Sequence, residues 1–317
     1  MKRIAALILC VLMLMTVACA EAADTTATDT PLSDESVREA LTVLDNEDYS
    51  AAWEALSGGE SIVSGTKSDA AKALQLALKA LGYELYIDGN AGAKTFAALN
   101  ELRASLGEDE TDTVDAACFG RLMLWLRVKD DADNAEVLLD DAGLDAGEAK
   151  YWLACVKLAA GHGYAAAQLF TESEWGDYAD RAAACAQELP ASGEIYRAED
   201  MTGREVQLVL NVKNQSSGEA TLVKIYHEGE CVSMVFIGED GHASIRLSAG
   251  NYSVHQGTGE AWYGTQDAFG EAGRYEVMLF DGNSQVVTLE TGRKYTLTLN
   301  DDGDTNVGSA VSDLSNF

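Results

Sequence analysis

The chain has 317 residues, enough for two or three domains, and 47% of them are hydrophobic, so it can bury sizeable cores. Its 52 acidic and 22 basic residues give a formal net charge of −30. This charge excludes binding to nucleic acid or to an anionic membrane surface through a general electrostatic field. It suits a soluble protein that works outside the cell.

The first 22 residues have the pattern of a secretory signal peptide. Lys2 and Arg3 precede an apolar run, 4–17, that is too short for an ordinary membrane span. Small residues near the end of this run suit signal peptidase, whereas residues 16–19 resemble a bacterial lipobox and make Cys19 a candidate lipidation site. We therefore expect an exported protein, extracellular or cell-wall associated. A lipid anchor on the outer face of the cytoplasmic membrane is the alternative, and the only membrane contact we expect.

Residues 23–33 form a polar, threonine-rich linker, and a helical domain is predicted over 34–128. Within it, apolar residues at helical spacing begin after Ser68, a good N-cap, and the pattern restarts at Ala93. The link between these two helices contains Asp88-Gly89, which suits a tight turn.

The landmarks of this stretch resemble the peptidoglycan-binding-like three-helix domain. They are Leu74-Gln75, Leu78, Leu81-Gly82-Tyr83, Ile87-Asp88-Gly89, Gly92, Thr95 and Ala98-Leu99. Leu102-Arg103 replaces the FQ pair of the family, and residues 115–119 replace its second DG turn, but a third helical pattern follows. The resemblance, over residues 66–127, implies a small bundle that attaches exported proteins to the bacterial wall, with peptidoglycan as partner. It also implies ligand-binding residues near the turn: Tyr83, Asp88, Gly89, Gly92 and Thr95.

Residues 129–189 predict helical hairpins. Their acidic residues lack the alternate spacing, glycine turn and distal glutamate of a calcium loop, so we expect a solvated helix face and no metal site. Tyr151-Trp152-Leu153-Ala154, Gly161, Tyr164, Ala167 and Phe170 resemble a tetratricopeptide unit with one extra residue at its turn. Such hairpins are candidates for binding an extracellular protein partner.

After Pro190 the hydrophobic pattern changes from helical to alternating, so residues 190–204 are predicted to be a linker. Seven or eight short strands separated by glycine turns predict an antiparallel β-sandwich over 205–300, followed by an acidic polar tail, 301–317. The strands are expected at 206–212, 220–227, 231–237, 243–247, 252–255, 274–280, 286–289 and 295–299. Residues 224–254 resemble a transthyretin-like or carboxypeptidase-regulatory-like sandwich.

Aromatic residues in and beside the 256–273 loop allow two interpretations. They are Tyr252, Trp262, Tyr263 and Phe269. Exposed rings would form an aromatic binding patch for sugars or a protein partner, whereas rings that fold back would cover the edge of the sheet.

No catalytic constellation is evident. The four histidines, His162, His227, His242 and His255, are too far apart in sequence for the usual zinc ligand pairs. The cysteines beyond the leader, Cys118, Cys155, Cys185 and Cys231, fit neither a zinc ribbon nor a CxxC motif, so we expect buried small hydrophobes. A Cys155–Cys185 disulfide is the alternative.

These patterns predict a multidomain α plus all-β protein, in which a helical bundle and helical hairpins precede a C-terminal antiparallel β-sandwich. We expect an exported, non-catalytic cell-wall binding protein with no cofactor or metal. One alternative is an extracellular protein-interaction scaffold that keeps the peptidoglycan-binding fold without its ligand. A cell-wall hydrolase is a further alternative.

Overall fold

The computed structural model describes residues 32–213, 216–238, 241–281, 283–299 and 307–317. The predicted leader with Cys19, and nearly all of the predicted 23–33 linker, lie outside the described residues. The chain divides into two compact units. The first comprises the chain up to Ala160 together with Ala165–Ala184, and the second comprises Gly161–Tyr164 and Cys185–Phe317.

Nine α-helices precede Cys185 in the part of the chain that the structure describes. They are α1 Asp34–Leu44, α2 Glu47–Ser57, α3 Asp69–Ala80, α4 Ala93–Ser105, α5 Ala116–Asp130, α6 Ala135–Asp141, α7 Ala146–Ala159, α8 Gly163–Ser173 and α9 Tyr178–Ala184. Polar side chains accept hydrogen bonds from the first turn of five of them, at Ser33, Asn46, Ser68, Asp115 and Asp145. A short strand pair, β1 Ile62–Val63 and β2 Thr113–Val114, joins two of the connections. None of the described helices is long and apolar enough to cross a membrane.

Helix α5 is the centre of the first unit. It is buried almost continuously from Phe119 to Val128 and packs against α1, α2, α3 and α6. A helix that is apolar around its whole circumference must be covered on all sides. Gly120 permits the close approach of two of its neighbours, because a Cβ there would lie 2.9 Å from Val37 Cγ2 and 3.1 Å from Trp53 Cζ3.

A buried ion cluster lies beside α5 and consists of Arg103, Glu108, Arg121 and Glu148. Glu108 bridges the two arginines: its Oε1 lies 2.8 Å from Arg121 Nε and its Oε2 lies 2.8 Å from Arg103 Nη1. Arg121 also pairs with Glu148 of α7 and lies 5.2 Å from the centre of the Trp152 ring. Buried charges are tolerated when each has a partner. Arg103, which replaces the glutamine of the family's FQ pair, thus contributes a charge to the interior.

The predicted helical hairpin is confirmed for α7 and α8. The rings of Tyr151 and Phe170 meet edge to face with their centres 4.8 Å apart, and both side chains are buried. A Cβ on Gly147 would lie 2.4 Å from Ser173 O, so the start of α7 lies against the end of α8, as in an antiparallel pair. The resemblance to a tetratricopeptide unit stays a prediction. No disulfide joins the four cysteines beyond the leader, all of which the structure describes.

The second unit contains two β-sheets. Its strands are β3 Gly193–Arg197, β4 Val206–Val212, β5 Ala220–His227, β6 Glu230–Ile237, β7 His242–Leu247, β8 Gly250–Gly259, β9 Arg274–Leu279, β10 Val287–Leu289, β11 Lys294–Leu299 and β12 Gly308–Ser312. The larger sheet has the order β12-β9-β8-β5-β6-β3, with β10 also paired to β8, and the smaller has the order β11-β4-β7. The described pairs are antiparallel except β11–β4, which is parallel.

A shared apolar core confirms the predicted sandwich. Alternate residues of β4 and β5, such as Leu208, Leu210, Val223 and Ile225, are buried in one cluster that draws on both sheets. The opposite face of the larger sheet has its own cluster, which includes Phe236, Trp262, Phe269 and Phe317. The parallel pair was not predicted. Strands β4 and β11 both enter the smaller sheet after a strand of the larger one, and they run side by side in the same direction.

Two segments predicted to be irregular contain strands. Within the predicted linker 190–204, β3 pairs with β6 at the edge of the larger sheet. Within the predicted tail 301–317, β12 pairs with β9. Phe317 is buried, and the centre of its ring lies 4.8 Å from the centre of the Tyr275 ring. Edge strands tolerate polar and charged residues, so their apolar signal is weak. Residues 301–306 lie outside the described residues.

We predict that the second unit folds without the helices. A fragment of residues 185–317 should melt in one cooperative transition, because its sheets share one core. A fragment of residues 194–317 should be less stable by about 1–3 kcal/mol or more, since two of the hydrogen bonds it loses are short. These run from Gln187 N to Trp262 O at 2.7 Å and from Gly238 N to Ser192 Oγ at 2.9 Å. Urea denaturation of both fragments measures the difference, and equal stabilities would contradict this account.

We also predict that Arg121→Met destabilises the first unit by roughly 3–5 kcal/mol, because Glu148 loses its buried partner. Arg38→Met is the matched control, since Arg38 pairs with Asp34 across one exposed helix turn. That variant should melt like the wild type. Thermal and urea denaturation of the full chain compare the two, and an Arg121→Met protein as stable as Arg38→Met would show that the ion cluster does not hold this core together.

Candidate functional site

The segment of residues 83–92, called here the turn loop, joins α3 to α4. Its start is held by Tyr83 N, which donates to Leu78 O at 3.1 Å. Its end is held against residues 65–68: Gly65 N donates to Ala91 O at 2.7 Å, Ala91 N to Thr66 O at 2.9 Å, and Ser68 N to Gly89 O at 3.0 Å. The turn loop is therefore anchored by backbone hydrogen bonds at both ends.

The side chain of Gln75, on α3, fixes the middle of the turn loop. Its Oε1 accepts hydrogen bonds from the backbone nitrogens of Asp88 at 3.0 Å and Gly89 at 2.9 Å. Its Nε2 donates to Asp88 Oδ1 and to Asn90 O, both at 3.0 Å. Gln75 is only 2% exposed, so these contacts replace water on both ends of the amide. We call this arrangement the Gln75 clamp.

Three of the predicted ligand-binding residues meet at the Gln75 clamp: Asp88, Gly89 and Thr95. Gly89 has φ +69°, a conformation that glycine adopts without strain. Thr95 is buried, and its Oγ1 lies 3.4 Å from Gln75 Nε2. Asp88 is exposed, and the hydrogen bond from Gln75, followed by that from Asn90 N, lowers the pKa of its carboxyl group. Of these three, Asp88 thus presents a charged group to solvent.

The other two predicted ligand-binding residues lie at the ends of the turn loop. Gly92 is the N-cap of α4 and has no side chain to accept a hydrogen bond from the first turn. Tyr83 is half-buried, and burial, together with the nearby charge of Glu101, raises the pKa of its phenol. Both residues therefore shape the turn loop where it meets the two helices.

Sequence analysis missed two contributions to this region. Gln75 is one of the landmarks, but its position inside α3, eight residues before the turn loop, gives no sign that it clamps the loop. Tyr86 was overlooked, although its side chain is 91% exposed. Exposure alternates along residues 83–88, with Glu84, Tyr86 and Asp88 outward. Alternating polar residues in this stretch could have indicated that Glu84 and Asp88 are exposed. Tyr86 lies at the exposed position between them, where the alternation would require a polar residue, so the pattern gave no sign of its exposure.

The predicted aromatic binding patch is not an exposed surface. Tyr252, Trp262 and Phe269 are all buried, and Tyr263 is partly covered. The rings of Trp262 and Phe269 pack on each other, with their centres 5.6 Å apart, and both pack on the ring of Phe236 in β6. The rings fold back because the outer face of the larger sheet is apolar and needs a cover. Trp262 and Phe269 thus fold back over the face of the larger sheet and not over its edge, and Tyr252 lies in the core between the two sheets.

Two histidines of the second unit, His162 and His227, have structural partners. His162 Nδ1 lies 2.9 Å from Asp267 Oδ1, and the other oxygen of Asp267 accepts from Tyr164 N at 2.9 Å. His227 Nδ1 lies 2.8 Å from the backbone oxygen of Asn251. Burial raises the pKa of the Cys231 thiol, the direction opposite to that of an activated nucleophile.

In the first unit, too, a cysteine and an acidic residue that sequence analysis considered for chemistry have structural surroundings. Burial raises the pKa of the Cys118 thiol to about 11, even though Arg103 lies beside it. In the predicted acidic helix face, Asp131 is engaged by Arg127 at 2.8 Å and by Asn134 at 2.9 Å. Among the described residues, no three His, Cys, Asp or Glu side chains are placed to hold a metal ion.

We predict that Gly89→Ala destabilises the first unit by about 1 kcal/mol or more, because the alanine must adopt a left-handed conformation. Its Cβ would also lie 3.3 Å from Ser68 O. Gly92→Ser is the matched control. Gly92 has a negative φ of −86° and an open surrounding, and serine is a preferred N-cap, so this variant should be as stable as the wild type or more stable. Urea denaturation decides, and equal losses in both variants would contradict the proposed strain at Gly89.

Comparison with known proteins identifies this part of the first unit. Residues 69–139 match the family model described as a predicted peptidoglycan domain. The match confirms the resemblance inferred from the landmarks in 66–127, and it extends beyond them into α6. No curated protein and no solved structure matches the chain. The matched region contains the Gln75 clamp and the turn loop, and it supports peptidoglycan as a partner of this chain.

Proposed function

We propose that the protein is an exported, non-catalytic protein that binds the peptidoglycan of the bacterial cell wall. The observation that carries this proposal is the match of residues 69–139 to a predicted peptidoglycan domain. The geometry adds support, because the Gln75 clamp holds the turn loop in one conformation before any ligand arrives. A binding loop that is already ordered loses little conformational entropy when it binds.

The wall-binding surface is the outer side of the turn loop, with the start of α4. Asp88 presents a carboxylate there, while Gly89 and Thr95 hold the conformation from within. Tyr83 and Gly92 fix the two ends. The ligand-binding role is thus divided between residues that contact the wall and residues that position them.

The absence of catalysis is part of the proposal. Cleaving an amide or glycosidic bond in peptidoglycan needs an activated nucleophile, a metal-bound water or a working acid–base pair. Burial raises the thiol pKa values of Cys118 and Cys231, which favours the unreactive protonated form. His162 and His227 bond to groups that fix loops and strands.

The remaining parts serve as accessory modules in this proposal. The signal peptide predicted for residues 1–22 supports export, and Cys19 offers a lipid anchor. The α7–α8 hairpin acts as a spacer or a docking surface for an extracellular protein. The β-sandwich is a separate compact module, and its aromatic rings are used for its own core.

We predict that the full chain without its leader is retained on purified cell-wall sacculi. Gly89→Val should stay folded but lose retention, because a β-branched residue cannot hold the left-handed conformation that sets the turn. Co-sedimentation measures retention, and circular dichroism checks folding. The same incubations should release neither new amino groups nor reducing ends, with or without added zinc.

Gly143→Val is the matched control in this assay and should be retained like the wild type, because Gly143 also has a positive φ, +76°, but lies outside the turn loop. If the wild type is not retained, the alternative of an extracellular protein-interaction scaffold gains support. The burial of Arg103 at the position of the family's glutamine is the observation that favours this alternative, since it marks where the chain departs from the family. Release of amino groups that one point substitution abolishes would instead establish a hydrolase.

A further inference from the structure

Tyr86 is the most exposed large apolar side chain in the described part of the first unit. Its side chain is 91% exposed, whereas Val43, Val63 and Val137 are 48%, 46% and 59% exposed. Within the described residues, its hydroxyl group forms no hydrogen bond and its ring contacts no other ring. The fold therefore derives no packing from this ring.

The backbone that carries Tyr86 is nevertheless fixed. Three residues before it, Tyr83 N is bonded to Leu78 O at 3.1 Å, and two residues after it, Asp88 N is bonded to Gln75 Oε1 at 3.0 Å. A tyrosine on a mobile loop would be an ordinary surface residue. A tyrosine on a loop anchored on both sides presents its ring in a restricted range of directions, as binding sites require.

Two carboxylates flank Tyr86 in the sequence. Glu84 and Asp88 stand two residues before and after it, and all three side chains are exposed while the residues between them are half-buried. Glu84 forms no ion pair or hydrogen bond within the described residues. Asp88 uses Oδ1 for Gln75 and Asn90, and Lys67 is the cation whose charge acts on it. Glu84 is therefore the carboxylate with an uncommitted charge.

We propose that Tyr86, flanked by Glu84 and Asp88, binds a primary ammonium group of the wall, the free side-chain amine of the diamino acid in an uncrosslinked stem peptide. An ammonium is attracted to the face of a tyrosine ring and to carboxylates at the same time. A neutral sugar could stack on the ring and donate hydroxyl hydrogen bonds to Glu84, but it has no charge with which to form an ion pair or a cation–π contact. This inference rests on the proposed function and names which part of peptidoglycan the turn loop contacts.

The expected affinity of this contact is modest. An exposed cation–π contact and an exposed ion pair each change an equilibrium constant by roughly 2- to 5-fold. Both contributions weaken as salt is added, because exposed charges are screened within about 8–10 Å at physiological ionic strength. Salt sensitivity therefore separates recognition of an ammonium from stacking on a sugar.

The test uses the full chain without its leader and two preparations of purified sacculi, one untreated and one whose free amines have been acetylated. Acetylation removes the positive charge of the ligand and leaves the glycan intact. We expect it to lower wild-type binding at least 5-fold. Tyr86→Ala and Glu84→Gln should each lower binding to untreated sacculi 2- to 5-fold, while Tyr86→Phe, which keeps the ring, should bind like the wild type.

Two control variants leave the site intact. Glu136→Gln removes an exposed carboxylate of α6, and Tyr196→Ala removes an exposed ring of β3, and neither should change binding. Equal binding of the wild type to both kinds of sacculi would overturn the inference while leaving wall binding established. If Tyr86→Ala then still weakened binding, the ring would be assigned to the glycan. Failure of the wild type to bind either preparation would refute the proposed function, and this inference with it.

Discussion

The burial of Arg121 constrains the whole first unit. A guanidinium group always carries its charge, so an arginine inside a protein requires carboxylates at fixed positions around it. Glu108 and Glu148 supply them, and Glu108 is shared with Arg103. The cluster thereby joins the end of α4, the start of the following loop, α5 and α7. A helix such as α5, apolar around its circumference, can carry this charge only because its neighbours bring the counter-charges.

The candidate site depends on this core through α3. Helix α3 packs against α5 and contributes a face of alanines and leucines to the interior, among them Leu74 and Leu78. Gln75 is buried on the same helix, so its amide cannot turn away to solvent. Since an unpaired buried amide is unfavourable, the turn loop must close around it. Packing of an interior helix thus dictates the conformation of an exposed loop.

Sequence reasoning succeeded where one periodic pattern dominates. The landmarks from Leu74 to Leu99 identified the helices, the turn and the family. The alternation in β4, together with the short runs and glycine turns that follow it, identified the sandwich. It failed where a residue's role depends on distant neighbours. Nothing local to Gly308–Ser312 indicates that this polar segment is an edge strand, nor that Phe317 completes the core on the outer face of the larger sheet.

For the candidate site too, the features that depend on local sequence were predicted and those that depend on distant residues were not. Asp88-Gly89 signals a turn by its own chemistry, because glycine supplies the positive φ and aspartate bonds to the backbone two residues on. The Gln75 clamp joins a helix residue to a loop residue thirteen positions later in the sequence. Because the two belong to different elements, no periodic pattern links them. The aromatic residues near Trp262 show the converse. A cluster of rings in a long loop suits both exposure and burial, and only the apolar face beneath it decides between them.

The overall charge limits how such a protein can bind the wall. A net charge of −30 provides no long-range attraction to a polymer whose stem peptides carry carboxylates of their own. At physiological ionic strength the Debye length is about 8 Å, so charges of like sign elsewhere on the surface are largely screened from a ligand at the turn loop. Binding must then arise from contacts within that distance. A fixed loop that presents a ring and an unpaired carboxylate meets this requirement, because the contacts of both groups act only at short range. The loop itself is already ordered, so it loses little conformational entropy when it binds.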